Sequence, residues 1–352
     1  MQLSISGRKV GEDARVLIIA ELSANHQQKF DVAVETIKAA KQAGADAIKL
    51  QTYLPETITL DCDNEYFQIK QGTLWDGKTL SELYKEAYTP WEWHPKLQSI
   101  AEELGLIFFS SPFDTTAVDF LESLNVPAYK IASFEITDIP LIQYVASKQK
   151  PILISTGIAT FQEIEDAIQI CKQSGNNQIA LLKCTSSYPA PMEEVNLKTM
   201  PQLSKSFNTV VGLSDHTLGI TVPVAAVSLG ASIVEKHFIL DRKLGGPDAA
   251  FSLEPYEFKA MVSAIRDVEK ALGTVTFEIS ERVQHSRVFA RSLFVTKDVL
   301  AGEIFTAENV RSIRPGYGLP PKYLAEIVGK RASKNLLKGT PLTWDLVEKK
   351  QQ

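Results

Sequence analysis

Ala47-Ile-Lys-Leu-Gln51 is a short apolar run that stops at polar, reactive groups. A helical stripe precedes it. Phe30, Ala33, Val34, Ile37 and Ala40 fall at i, i+3, i+4, i+7 and i+10, and Gly44 is placed to close that helix. The same unit repeats along the chain. Comparable runs begin at Val16, Ile107, Ala128, Pro151, Gln178, Val210 and Ser232, and an amphipathic stretch follows nearly every one. Apolar runs bounded by turn signals and alternating with helices predict parallel strands. Eight of them before Gly273 predict an α/β fold, a closed (β/α)8 TIM barrel, with its chemistry at the C-terminal ends of the strands.

Those ends read Glu21, Lys49/Gln51, Ser110/Ser111, Lys130/Ser133, Ser155/Thr156, Cys184/Thr185, Ser214/His216 and Glu235/His237. Lys49 and Gln51 are two apart and share a strand face. Lys130 holds the equivalent place on the fourth run. Two inward ammonium groups repel at low dielectric unless an anion or a structural carboxylate joins them. The hydroxyls of Ser111, Ser133, Ser155, Ser186 and Ser214 recur around the same ring. Repetition favours an anion site, since a single serine there is usually a helix cap. His216 and His237 end adjacent strands and can share a cation, with Glu235 on the same face as His237. Two imidazoles with few carboxylates favour Mn2+, Fe2+, Co2+ or Zn2+ over Mg2+; the plain alternative is a pair of hydrogen-bonded core histidines. Glu21, beside the last strand in a closed barrel, suits a metal ligand, a base on water, or a salt bridge to a ring lysine. Among the other histidines, His26 is expected near the mouth and His94 and His285 on the surface.

Bulk properties narrow the class. The chain has 352 residues, 44% of them hydrophobic, and a formal charge of −5, which gives no general attraction to nucleic acid or an anionic membrane. No run approaches the ~20 apolar residues that span a bilayer. Met1-Gln-Leu-Ser-Ile-Ser-Gly shows no charged leader with an apolar core, and three cysteines show no CxxC spacing. A cytoplasmic location with free thiols is the expectation. About 55 residues separate the second and third runs, far beyond an ordinary βα loop. Part of that interval, from Thr52 to Asp76, has no clean period, and its aromatics suit either a lid or a rim-packing excursion. After Gly273 a polar linker (274–289) leads to short strands with glycine turns, predicting a small β-rich domain at 290–352. No G-x-S-x-G elbow, P-loop or dinucleotide fingerprint occurs.

At these residues the chain resembles a known family. Ile19-Ala-Glu-Leu-Ser-Ala-Asn-His, Ile48-Lys-Leu-Gln-Thr, Ser110-Ser-Pro-Phe-Asp, Tyr129-Lys-Ile-Ala-Ser, Leu153-Ile-Ser-Thr-Gly, Gly212-Leu-Ser-Asp-His-Thr and Glu235-Lys-His-Phe are similar to the sialic acid synthases. The segment from Ala290 to Val347, with Arg311-Ser-Ile-Arg-Pro-Gly, is similar to their C-terminal antifreeze-like (SAF) domain. Glu65-Tyr-Phe-Gln-Ile-Lys-Gln-Gly-Thr-Leu-Trp-Asp-Gly-Lys-Thr-Leu, Tyr88-Thr-Pro-Trp-Glu-Trp-His and Glu21-Leu-Ser-Ala-Asn-His resemble the pseudaminic acid branch. Ser186 stands where the sialic branch commonly has Asn.

The resemblance implies condensation of phosphoenolpyruvate with an N-acetylated amino sugar, for this branch 2,4-diacetamido-2,4,6-trideoxy-altrose, to a nine-carbon 2-keto acid. It implies that Lys49, Ser111, Lys130, Ser133, Ser155, Ser186 and Ser214 hold phosphoenolpyruvate. His216 and His237 would bind Mn2+, with Mg2+ or Co2+ as substitutes. Glu21 would act as base, and Gln51, Tyr188 and Asp248 would face the sugar. Arg314 would reach into the barrel of a partner subunit in a domain-swapped homodimer. Two other readings stay open: a sialic or legionaminic acid synthase, and a Schiff-base aldolase with Lys130 or Lys183 as imine former. A third, a carbohydrate- or ice-binding module on an inactive barrel, makes the ring of reactive groups redundant.

Overall fold

The computed structural model describes residues 2–348. Compact contacts divide the chain at Gly273 into two units. In the first, a hairpin of β1 (Gln2–Ile5) and β2 (Arg8–Gly11) precedes the barrel. The barrel strands are β3 (Leu17–Glu21), β4 (Ala47–Thr52), β5 (Ile107–Pro112), β6 (Tyr129–Ile131), β7 (Ile152–Ser155), β8 (Ile179–Cys184), β9 (Val210–Asp215) and β10 (Ile233–His237). All eight are parallel, and β10 pairs with both β9 and β3, which closes the ring.

Two apolar layers hold it. Outward strand residues such as Ile18, Ile48, Phe108, Ile154 and Val234 pack against the surrounding helices. The helix Phe30–Gln42 turns Ala33, Ile37 and Ala40 inward, and Pro255–Leu272 contributes Phe258, Met261, Val262 and Ile265. Gly44 ends the first of these at φ +97°, where a Cβ would also press on Val262 Cγ1 at 3.0 Å. Inward residues Leu17, Ile19, Ala47, Phe109, Ala128, Leu153, Leu182 and Ile233 fill the lumen. Leu3, Ile5 and Val10 of the hairpin join this cluster, so the hairpin seals the N-terminal end of the barrel. Its two strands are four residues each and are joined by a tight turn with no helical stripe between them, so the strand–helix repeat does not include them.

The long interval after β4 contains the helices Pro55–Ile58, Leu80–Ala87 and His94–Glu103. Thr79 caps the second: its Oγ1 accepts from Glu82 N, and Glu82 reaches back to Thr79 N. Asp114 caps the helix Thr115–Ser123 by accepting from the Thr116 and Ala117 amides.

The second unit holds an antiparallel pair, β11 (Ser292–Val295) with β12 (Val310–Ile313), around Leu293, Val295, Phe305, Val310, Leu336 and Leu342. Before it, the interval 274–289 includes a short helix, Glu281–Ser286, capped by Ser280. Among the described residues no helix is long and apolar enough to cross a membrane. Cys62, Cys171 and Cys184 are free.

Candidate active site

Strand parity delivers the site. Residues 47, 109, 128, 153 and 233 face the lumen as apolar floor. Two positions further along, the same faces present Lys49, Ser111, Lys130, Ser155 and Glu235. A cavity there is lined by Glu21, Lys49, Gln51, Lys130, Ser133 and Ser155, and by Cys184, Tyr188, Ser214, His216, Glu235, His237 and Asp248.

The two lysines share their counter-charges. Lys49 Nζ contacts Glu21 Oε2, lies 3.5 Å from Glu235 Oε1 and donates to Ser111 Oγ at 3.1 Å. Lys130 Nζ donates to Ser155 Oγ at 2.7 Å and to the Ile131 carbonyl at 3.0 Å, and stands 3.9 Å from Glu235 Oε1. Glu235 therefore sits between both ammonium groups, and Ser214 Oγ donates to the same oxygen at 3.1 Å. Carboxylates do join the lysines, as the sequence left open. Burial opposes ionisation of Glu235, but Lys130 and Lys49 outweigh it and hold its pKa below the usual carboxylate range. Burial dominates at Glu21 and pushes its pKa up to about 7, against the pull of Lys49. Burial also depresses Lys130, while at Lys49 the carboxylates outweigh burial and raise it. Lys49 and Lys130 thus face one carboxylate held in its ionised form and a second whose pKa is raised by burial, an arrangement that can receive an anion between the ammonium groups.

Ser111 and Ser186 are absent from the cavity wall and act one bond behind it. Ser111 holds Lys49; Ser186 Oγ donates to Ser133 Oγ at 2.7 Å, and Ser133 Oγ also accepts from the Ile158 amide at 3.1 Å. Gly157 makes room for that pair: a Cβ there would lie 2.2 Å from Ser186 Oγ and 2.6 Å from Ser133 Oγ.

His216 and His237 face each other with ring centroids 5.3 Å apart. His216 Nδ1 meets the Thr185 carbonyl at 3.1 Å, which orients the ring and directs Nε2 elsewhere. Burial pulls His216 down, but Cys184 and the Thr185 carbonyl outweigh it and leave its pKa raised. Burial, with His216 and the lysines, keeps His237 well below the ordinary value and therefore neutral. His237 Nδ1 and Glu235 Oε2 are buried without hydrogen-bond partners. Among the described residues no three His, Cys, Asp or Glu groups converge as a complete metal cage. Two imidazoles, one with an unsatisfied ring nitrogen, could hold a divalent ion.

Gln51 Nε2 donates to Glu21 Oε1 at 3.3 Å. Tyr188 packs on His216 at 4.5 Å and Phe251 at 5.2 Å between centroids. Asp248 accepts from Ser23 Oγ and lies 3.7 Å from His237 Nδ1, and burial raises its pKa. Arg314 belongs to the second unit, one residue after β12, and is exposed.

One histidine expectation needs correcting. His94 is fully buried, not on the surface: one ring nitrogen meets Thr52 Oγ1 at 2.9 Å, and Phe120 packs on it edge-to-face. His26 is also fully buried, against Thr89 Oγ1 at 3.1 Å and Trp93, and does not line the cavity. His285 is exposed.

Sequence reasoning noted Glu235 beside His237 but gave it no place among the site residues. It missed Glu135 altogether. Glu135 lies in the 3-10 turn Ser133–Glu135, lines the cavity, and is pushed by burial to a pKa of about 7. The signal for Glu135 was a carboxylate two residues beyond Ser133.

The chain matches the NeuB family model over residues 36–277 and the SAF domain model over residues 290–348. It is 49% identical over 330 residues to the pseudaminic acid synthase of Campylobacter jejuni, covering 94% of this chain and 96% of that one. It is 50% identical over 333 residues to the pseudaminic acid synthase of Helicobacter pylori, covering 94% and 98%. Its structure is similar to the N-acetylneuraminic acid synthetase of Leptospira borgpetersenii, with a TM-score of 0.73, 31% identity, and coverage of 81% of this chain and 95% of that one. A parallel barrel with this charged ring, matched over most of its length, belongs to the NeuB family and is followed by a SAF domain.

Proposed function

We propose that this chain is a pseudaminic acid synthase. It condenses phosphoenolpyruvate with 2,4-diacetamido-2,4,6-trideoxy-β-L-altropyranose and water, giving pseudaminic acid and phosphate. The observation that carries this reading is the placement of Lys49 and Lys130 around one carboxylate, Glu235, beside the imidazole pair.

Lys49 and Lys130 bind the phosphate and carboxylate of phosphoenolpyruvate and offset their mutual repulsion. Ser155, Ser133 and Ser214 orient that anion, with Ser111 and Ser186 fixing Lys49 and Ser133 from behind. His216 and His237 would hold the divalent ion, Mn2+ ahead of Mg2+ or Co2+, which when bound supplies Lewis-acid polarisation of the acceptor aldehyde. Gln51, Tyr188 and Asp248 face the sugar. Carbon C3 of phosphoenolpyruvate attacks C1 of the open-chain sugar, leaving cationic character at C2. Glu21, with its pKa near 7, takes a proton from the water that adds at C2. Carbon–oxygen cleavage of the adduct then releases phosphate and leaves the 2-keto acid.

We place Arg314 in the site of a second copy of the chain, making a domain-swapped homodimer the working unit. Val275 and Phe277, 96% and 97% exposed, are apolar residues that such a partner could cover. Free cysteines and the substrate class fit the cytoplasm, with no role for nucleic acid or membrane.

The test is phosphate release from phosphoenolpyruvate with each candidate sugar, with and without chelator. The trideoxy sugar should give the highest kcat/KM. A preference for N-acetylmannosamine would make the chain a sialic acid synthase instead.

A further inference from the structure

The cavity has two unlike walls. One is the ring of lysines, carboxylates and hydroxyls at the strand ends. The other is apolar and comes from beyond the strands: Tyr53 after β4, Phe113 after β5, and Trp75, Leu83, Tyr84 and Ala87 from the long interval. Leu83, Tyr84 and Ala87 fall at i, i+1 and i+4 of the helix Leu80–Ala87, so one face of that helix is turned to the cavity. The wall is packed as a unit. Tyr53 meets Tyr84 and Phe113 edge-to-face, with centroids 5.5 Å and 5.2 Å apart. Trp75 leans on Tyr188 at 5.5 Å and donates Nε1 to the Pro247 carbonyl at 2.9 Å, fixing the interval to the loop after β10.

Resting on the function proposed above, we infer that this wall is the specificity element for the acceptor, receiving the C6 methyl and the 4-acetamido group of the trideoxy sugar. The charged ring is committed to phosphoenolpyruvate and to the reacting aldehyde. The far end of the sugar must then point out of the barrel, toward the segments that carry the wall. That end differs from an ordinary N-acetylated hexose by a methyl in place of a hydroxymethyl group and by a second acetamide. A methyl is matched by Leu83 and Ala87. An acetamide, apolar at its methyl and polar at its amide, is matched by aromatic faces that carry the Tyr53 and Tyr84 phenols. A hydroxyl buried against Leu83 would lose its water without a partner, which is the basis for rejection.

The experiment uses the full-length enzyme, the trideoxy sugar and its 6-hydroxy counterpart. Wild type should prefer the deoxy sugar by about 10- to 100-fold in kcat/KM, expressed chiefly in KM. Leu83→Asn should narrow that ratio about tenfold while the KM for phosphoenolpyruvate stays within twofold. Equal use of both sugars by wild type overturns the inference and leaves the proposed function standing. So does a Leu83→Asn variant of unchanged melting temperature whose ratio is also unchanged. Should Leu83→Asn fail to fold, the wild-type ratio alone decides. If neither 6-deoxy nor 6-hydroxy diacetamido sugar releases phosphate while N-acetylmannosamine does, the proposed function itself fails.

Discussion

The rings of His216 and His237 stand 5.3 Å apart on the ends of neighbouring strands, and their planes are tilted by 57°. That spacing lets both imidazoles address one ion without either leaving its strand. His237→Ala should lower Mn2+ affinity at least tenfold in calorimetric titration and reduce phosphate release by about 100-fold or more. Unchanged Mn2+ affinity in a folded variant would remove the metal from this pair.

Gly157 tests the serine pair. A methyl there collides with both Ser133 and Ser186 hydroxyls, which must separate or rotate. Gly157→Ala should raise the KM for phosphoenolpyruvate at least fivefold and leave the KM for the sugar nearly unchanged. A uniform fall in kcat with no change in either KM would point to damage elsewhere.

Glu21 sets an expected pH dependence. Its carboxyl is raised to about 7 by burial, so below that pH it is protonated and unable to accept a proton from water. The rate should climb about tenfold per pH unit up to about 7 and then level. Glu21→Gln should remove both the activity and the inflection. An inflection that survives in the residual activity of that variant belongs to another group, with Glu135 the next candidate.

The buried histidines oppose folding in acid. Burial lowers His26 and His94 to pKa values of about 4. Above pH 6.5 both are neutral folded or unfolded, and neither affects stability. As the pH falls from 6.5 toward 4, the unfolded chain takes up these protons first, so the folded state loses ground progressively. Each imidazole should cost about 2 kcal/mol between pH 7 and pH 5. Glu21 and Glu135, raised to about 7, act in the opposite sense over the same interval, so the histidine is read as a difference: in urea unfolding, the stability change from pH 7 to pH 5 should be about 2 kcal/mol more favourable in His94→Gln than in wild type. An identical change in the two proteins would exonerate His94.

Much of this was legible because a strand alternates. Glu235 and His237 face the lumen while Lys236 between them faces out, where it pairs with Asp215 at 2.5 Å. Reading every second residue therefore recovers Lys49, Lys130, Ser155, Ser214 and His237 without coordinates. His94 was misread because no paired group stands near it in the sequence. Its burial comes from Thr52 and Phe120, residues distant in the chain. The apolar wall was hidden for the same reason. Trp75 sits in a stretch with no clean period and Leu83 on a short helix whose direction the sequence does not give, and only contacts with Tyr188, Pro247 and Phe113 bring their surroundings together. Glu135 lies in a turn, where parity gives no direction.

The hairpin of Leu3, Ile5 and Val10 makes the barrel a vessel with a stopped base. Traffic then has one doorway. With phosphoenolpyruvate held at the ring nearest the stopper, as proposed, it must enter before the sugar covers it. The long keto acid must clear the doorway before phosphate can leave. Last in, first out is the order that steady-state inhibition patterns should display, with phosphate competing against phosphoenolpyruvate alone.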